Sequence, residues 1–266
     1  MCFSSSLGAI FVIDPARVLA VYRRNLLVWR KLAPASLVGN VAEPLITLLA
    51  FGYGLGAFLG EVDGVRYIVF LAAGAICMST TMAASFESLY SAFSRMQVQR
   101  TWDSLMNAPV ELDDILVAEW LWAASKATLS GVAIVVVAFA LGVTRAPTLL
   151  AVLPVILLTG LCFAAIGLVF NALARGYDFF TFYFTLCLTP MIFISGVYYP
   201  THALPPWLEA VSGVLPLASA VNLVRPLVIG EWPAAVVGPL ALLIGWTLAA
   251  FTLARWLTRR RFRHTL

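Results

Sequence analysis

The sequence predicts an all-α polytopic membrane protein. It has six transmembrane helices, an N-terminal amphipathic interfacial helix, and re-entrant extracytoplasmic helices between spans five and six. Three observations carry that class. Of 266 residues, 62% are hydrophobic and only 11% charged, whereas a soluble domain is roughly half apolar and about a quarter charged. Mean hydropathy is +0.94, and apolar runs long enough to cross a bilayer recur along the chain. Finally, the basic residues flanking those runs concentrate on one side, which sets one orientation.

The run Leu7–Ile13 is not expected to be a cleaved signal, because it is short, lacks a basic flank and leads into Asp14-Pro15. Asp14 reads as a helix N-cap with Pro15 in the first turn. Over residues 14–32, Val18, Leu19, Tyr22, Leu26 and Trp29 can share a face, with Arg17, Arg23, Arg24, Arg30 and Lys31 supplying positive charge. A basic amphipathic helix with Trp and Tyr fits the membrane interface; an ordinary cytosolic helix is the alternative. A span needs ~20 mainly apolar residues. Such stretches are Ser36–Leu59, Tyr67–Phe93, Ile115–Leu141, Thr148–Leu173, Phe179–Val197 and Ala234–Leu257.

Residues 198–233 are too broken for a simple span and too apolar for a solvated loop, with Pro200, Pro205, Pro206, Pro216, Pro226 and Pro233 punctuating them. Short helices entering and leaving on one side fit this segment, since irregular backbone at that depth must be buried or face water. With both termini cytoplasmic, the basic residues of the two chain ends, together with Arg95, Arg100 and Arg175, lie inside. Only Arg66, Arg145 and Arg225 then lie outside, and Lys126 falls within the third span. No repeat or linker divides the chain, so 1–266 reads as one membrane domain.

Several chemistries are excluded. No G-x-x-x-x-G-K-[ST] loop, G-x-S-x-G elbow or H-E-x-x-H helix occurs, so any work against a gradient draws its energy from a partner or an ion. Cys2, Cys77, Cys162 and Cys187 lack ligand-like spacing, and with His202 and His264 as the only histidines no metal site is expected. Clustering of the basic residues at the chain ends argues against nucleic-acid binding. Intramembrane charges are costly and so informative. Glu43 stands beside Pro44, and a functional and a packing role weigh equally there. Glu87 and Glu119 fall near span ends, where pairing with a basic neighbour is favoured; Glu119 and Lys126 share a helix face.

The loop at 95–108 is amphipathic, with Met96, Trp102, Leu105 and Met106 alternating with Arg95, Gln97, Gln99, Arg100, Asp103 and Asn107. An exposed Trp–Leu–Met stripe fits a docking knob and a helix lying on the membrane equally well. The fifth stretch is rich in aromatics from Phe179 to Phe184, with Phe193, Tyr198 and Tyr199 beyond. A belt or lipid contact accounts for them more readily than a binding surface.

These stretches carry a resemblance: YRRNLLVWRK, SLVGNVAEPLITLLAFGYGLG, VDGVRYIVFLAAG, SFESLYSAFSRMQVQRTWDSLMNAP and ISGVYYPTHALPPWLEAVSGVLPLASAVNLVRPL. Running from about Val21 to Leu227, they resemble the permease subunits of type-2 ABC exporters, and among these the nodulation-factor lipooligosaccharide permeases. The resemblance implies a half-transporter that binds no cofactor itself, with ATP and Mg held by a partner ATPase. Two permease copies would form a homodimer on two ATPase subunits in a bacterial inner membrane, among membrane lipids. The cargo would be a lipid-linked or acylated oligosaccharide.

The resemblance further makes the 95–108 loop the coupling helix, with Arg100, Thr101, Trp102, Asp103, Leu105 and Met106 contacting the ATPase. Arg23, Arg24, Arg30 and Lys31 would form a second contact. Spans one and five would line the path, with Glu43, Phe182, Phe193, Tyr198 and Tyr199 as candidates. Pro200, Pro205, Pro206 and Trp207 fall in the re-entrant segment. Exporters of drugs, other lipids or polysaccharides are the nearest alternatives. An ion-coupled carrier using Glu43, Glu87 and Glu119, and a lipid-modifying membrane enzyme, are more distant ones.

Overall fold

A computed structural model describes residues 13–31 and 33–263. The expectations placed on Cys2, residues 7–12, Leu32 and His264 lie outside the described residues, as does the side chain of Glu43.

Helix α1 (Pro15–Arg30) starts as the sequence predicts, with the Asp14 carboxylate accepting from the Ala16 N–H at 2.9 Å. Val18, Val21 and Asn25 are buried, while Leu19 and Leu26 are exposed, because α1 lies along α6 (Leu112–Ala140) and presents Asn25 to a buried carboxylate there. Helix α2 (Ala33–Leu49) contains Pro44 and runs through a π-helical turn at Ala50–Leu55 into α3 (Gly56–Leu59). A two-stranded hairpin, β1 (Glu61–Val62) and β2 (Val65–Arg66), turns at Asp63-Gly64.

Helix α4 (Tyr67–Phe86) extends through π turns at Glu87–Ser91 and Ser94–Val98. The short α5 (Thr101–Met106) follows, then α6 and α7 (Val152–Leu173). Helices α8 (Asp178–Phe182) and α9 (Thr189–Ile194) are joined by a π turn at Tyr183–Leu188. Helices α10 (Pro206–Ser212) and α11 (Pro216–Ile229) meet at an 85° bend. The last helix is α12 (Val237–Arg263).

Among the described residues, four helical runs are long and apolar enough to span a membrane: Tyr67–Val98, Leu112–Ala140, Pro147–Leu173 and Val237–Arg263. They coincide with the second, third, fourth and sixth predicted stretches. The first and fifth form shorter apolar helices, Pro44–Leu59 and Asp178–Ile194. Their physical difference from the long runs is interruption: Pro44 lacks an N–H for the helical ladder, and both contain a π turn.

Helix α4 is the buried centre, packed by α2, α6, α7 and α11, while α12 lies along α7. The α4–α6–α7 seams close on small residues, which let helix backbones approach where no hydrophobic effect drives them together. A methyl group added at Gly167 would strike Ser88, and one at Gly131 would strike Thr80. The π turn after Phe86 frees backbone carbonyls, and the Asn171 side-chain amide donates to Ser88 O at 2.8 Å. Phe180 and Tyr183, expected to contact lipid, are instead fully buried, packed against Phe93, Tyr90 and Phe170. The Tyr183 hydroxyl has a partner there, Ser85 Oγ at 2.9 Å.

Candidate functional site

The charged residues of one bundle end form two lattices behind α5. In the first, the π turn at Glu87–Ser91 turns Glu87 toward α6, and the next one carries Arg95 alongside it. Glu87 and Glu119 are 3% and 1% exposed, so each carboxylate needs full compensation. Arg95 lies between them, with Nε donating to Glu119 at 2.9 and 3.1 Å and Nη2 to Glu87 at 2.9 Å. Lys126 Nζ and Trp122 Nε1 complete Glu87 at 2.6 and 2.8 Å. Two carboxylates thus meet two cations. Glu119 and Lys126 lie on one face of α6, as their spacing predicts, and both glutamates are paired with basic neighbours as their positions favour.

Helix α1 closes over this lattice. Asn25 Nδ2 donates to Glu119 at 3.3 Å, and the rings of Tyr22 and Trp29 pack edge-on against Trp122 at 5.6 and 5.8 Å. Arg24 donates to Asn25 Oδ1 at 3.0 Å and reaches Thr101 Oγ1 at 3.5 Å. It thereby ties α1 to the first residue of α5. Burial lowers the pKa of Arg24, the Arg95 guanidinium lowers it further, and Glu119 opposes both. A polar cavity of about 200 Å³ remains between α1, the end of the α4 run and α6.

The second lattice joins α6 to α12. Asp113, at the first turn of α6, accepts from Arg255 Nε at 2.9 Å and Arg259 Nε at 2.8 Å, and from the Nη2 of each. The neighbouring Asp114 is fully buried and accepts from the backbone N–H of Asp14 at 3.1 Å and of Glu111 at 3.2 Å. One dipeptide therefore fixes the start of α1, the start of α6 and the end of α12. Arg261 adds a link to α7, donating to the carbonyls of Asn171 and Ala172 at 3.1 Å.

Helix α5 projects from this base. Arg100 precedes it with φ +48°, a left-handed conformation unusual for a residue with a Cβ. The expectation of an exposed Trp–Leu–Met stripe is corrected here. Trp102 is 1% exposed and stacks on Phe262 of α12 with ring centroids 6.1 Å apart. Leu105 and Met106 are half-buried, also packed against the core, and Met96 is buried. What α5 offers outward is polar: Arg100, Asp103, Ser104 and Asn107 are exposed. Trp102 anchors the helix because Phe262 at the end of α12 supplies a surface for it. Arg23, Arg30 and Lys31 are exposed on the neighbouring α1 segment.

At the opposite end, Tyr198 meets Phe193 at 5.5 Å and Phe51 at 6.0 Å, and its carbonyl accepts from Tyr67 OH at 3.1 Å. Arg225 of α11 donates to Gly196 O and lies 3.7 Å over the Phe70 ring. Tyr199 is half-buried, and Phe182 points away from the bundle at 61% exposure. Pro200 precedes a 3-10 turn at Thr201–Ala203, Pro205 and Pro206 open α10, and Trp207 is exposed. No cluster of His, Cys, Asp or Glu able to hold a metal exists among the described residues.

Sequence reasoning missed Asn25, Asp113, Trp122 and Phe262 as parts of the base. Two of them left a signal: a polar Asn within the buried stripe of α1, and Asp113-Asp114 opening a span beside a helix that carries arginines four apart.

Apolar helices long enough to cross a bilayer, with a small polar projection on a charged base, are the architecture of a membrane protein. The model of the ABC-2 type transporter family matches residues 16–229. The chain belongs to that family. It is 47% identical to Nodulation protein J of Rhizobium leguminosarum bv. viciae over 243 residues, 91% of this chain and 94% of that protein. It is 46% identical to Nodulation protein J of Rhizobium meliloti (strain 1021) over 244 residues, 91% of this chain and 93% of the relative. Inner membrane transport permease YadH of Escherichia coli (strain K12) is 24% identical over 189 residues, 70% of this chain and 73% of its own.

Proposed function

We propose that this chain is the permease subunit of an ATP-driven exporter in a bacterial inner membrane, moving an acylated or lipid-linked oligosaccharide outward. The observation that carries the reading is the similarity to the Nodulation protein J relatives across most of the chain. A sequence without a P-loop leaves ATP and Mg to a partner ATPase. Helix α5 is the coupling helix: Arg100, Thr101 and Asp103 meet the ATPase, half-buried Leu105 and Met106 back them, and Trp102 holds the helix to α12. Arg23, Arg30 and Lys31 form the second contact, and Arg24 links the two through Thr101. Movement of the docked ATPases then passes through the two charged lattices to α1, α4, α6 and α12 together, biasing the bundle between two arrangements.

The working unit is a homodimer on two ATPase subunits. The short apolar helices Pro44–Leu59 and Asp178–Ile194 cross as spans one and five and face each other between the copies. Exposed Ile46, Phe58, Phe182, Leu186 and Phe193 support that reading. Both ends of the chain are cytoplasmic, α1 lies at the interface, and α10–α11 re-enter from the outer face at their 85° bend. Glu43, Tyr198 and Tyr199 belong to the path. Export of drugs, other lipids or polysaccharides remains the alternative cargo class.

The deciding experiment reconstitutes the chain with and without a cognate P-loop ATPase and follows a labelled acylated oligosaccharide. Transport should require the ATPase and MgATP and survive a protonophore. Uphill transport by the chain alone, driven by a proton gradient, would establish an ion-coupled carrier instead. Glu87 and Glu119 are poor proton sites for such a carrier, since both are already held in ion pairs.

A further inference from the structure

Helix α12 carries a groove that the coupling reading does not use. It has a volume of about 540 Å³ and is lined by Thr252, Arg255, Trp256, Arg259, Arg260 and Arg263. Arg255 and Arg259 are bound to Asp113, and among the described residues the other two lining arginines, Arg260 and Arg263, add further positive charge. Arg260 and Arg263 are exposed. Trp256 is 55% exposed, with the Arg260 guanidinium 5.5 Å from its ring centre. A Trp beside arginines where an apolar helix ends is the arrangement of a membrane interface, and surplus positive charge there attracts anionic headgroups.

Up the same helix, an apolar groove of about 440 Å³ lies between Leu242 and Trp246. The Trp246 ring is fixed by a hydrogen bond from Nε1 to Val214 O at 3.0 Å. From Trp246 to Arg260 the rise is about 21 Å at 1.5 Å per residue, close to half of a bilayer of ~40–45 Å including headgroups. We propose that this α12 face is a binding site for an anionic phospholipid. The phosphate sits among Arg259, Arg260 and Arg263, the glycerol region lies against Trp256, and an acyl chain runs along the apolar groove. Arg260 lies about 200° around the helix from Phe262, the side chain that meets Trp102, while Arg255 and Arg259 turn toward Asp113. The apolar groove continuing up the same helix fits a lipid better than an acidic surface of the ATPase. Asp113 joins the site to the start of α6, so a bound headgroup balances the surplus positive charge of that lattice.

Native mass spectrometry of the full-length chain in detergent, titrated with phosphatidylglycerol or phosphatidylcholine, tests this. Phosphatidylglycerol should bind at least about tenfold more tightly than phosphatidylcholine. Arg260→Gln with Arg263→Gln should weaken phosphatidylglycerol about thirtyfold and leave phosphatidylcholine unchanged, as expected for two interfacial charges. Arg260→Lys with Arg263→Lys, which keeps the charge, should stay within about threefold of wild type. Inorganic phosphate at equal concentration should not displace the lipid. Equal binding of the two lipids by the wild-type chain would overturn the proposal, and so would displacement by phosphate. Unchanged phosphatidylglycerol binding in the Gln variant, with the ATPase lost from co-purification, would reassign the groove to the partner protein.

Discussion

Trp102 and Asp103 are neighbours in sequence and opposites in burial, and their substitutions separate anchoring from docking. Trp102→Ala removes a fully buried ring and should lower stability by about 3–5 kcal/mol, read as an earlier unfolding transition and faster proteolysis of the α5 loop. Asp103→Ala alters an exposed side chain and should stay within about 0.5 kcal/mol of wild type while uncoupling ATP hydrolysis from export. Normal transport in the Asp103 variant would remove that residue from the docking surface. Arg95 is the other decisive side chain. Arg95→Ala leaves two buried carboxylates short of a cation and should cost about 3–5 kcal/mol. A thermal melt like that of wild type would mean that water already screens the lattice.

Among the elements, close helix approach and backbone strain make the sharpest demands. Gly167→Val places a branched side chain against Ser88, forcing α4 and α7 apart and moving the π turn that carries Glu87. The expected outcome is poor recovery of folded protein in detergent; normal yield and melting would show that the seam can relax. Arg100 holds φ +48° at the entrance to α5. Arg100→Gly should therefore be neutral or mildly stabilising in the same melt, whereas Arg100→Val should destabilise, because a β-branched residue tolerates that conformation badly. Identical melts for the two variants would show that the turn adjusts without strain.

For the whole molecule, the question is how one end moves as a unit. Asp113 connects α6 to α12 through two arginines. Asp113→Asn should loosen α12 and raise hydrogen exchange at both helix ends together; exchange confined to α12 would show that the second lattice is not shared. The exposed flank of α8 and α9 bears on assembly. Phe182→Cys, in a chain whose exposed Cys187 is replaced by Ser, should yield an oxidised dimer if this flank faces a second copy. Monomer alone under oxidation would place lipid there instead.

The membrane class, the α1 cap at Asp14, four long apolar helices and the short helical segment after Arg100 were all legible in the sequence. They depend on local quantities: composition, run length, capping chemistry and the spacing of apolar residues. The tertiary structure alone decided that Trp102 faces inward, that Phe180 and Tyr183 belong to the core, and that Glu87, Arg95, Glu119 and Lys126 close into one balanced group. The reason is physical. In a chain this apolar, nearly every helix face is hydrophobic, so periodicity does not reveal which face meets protein and which meets lipid. A buried charge can be interpreted only once its partner from a distant helix is known.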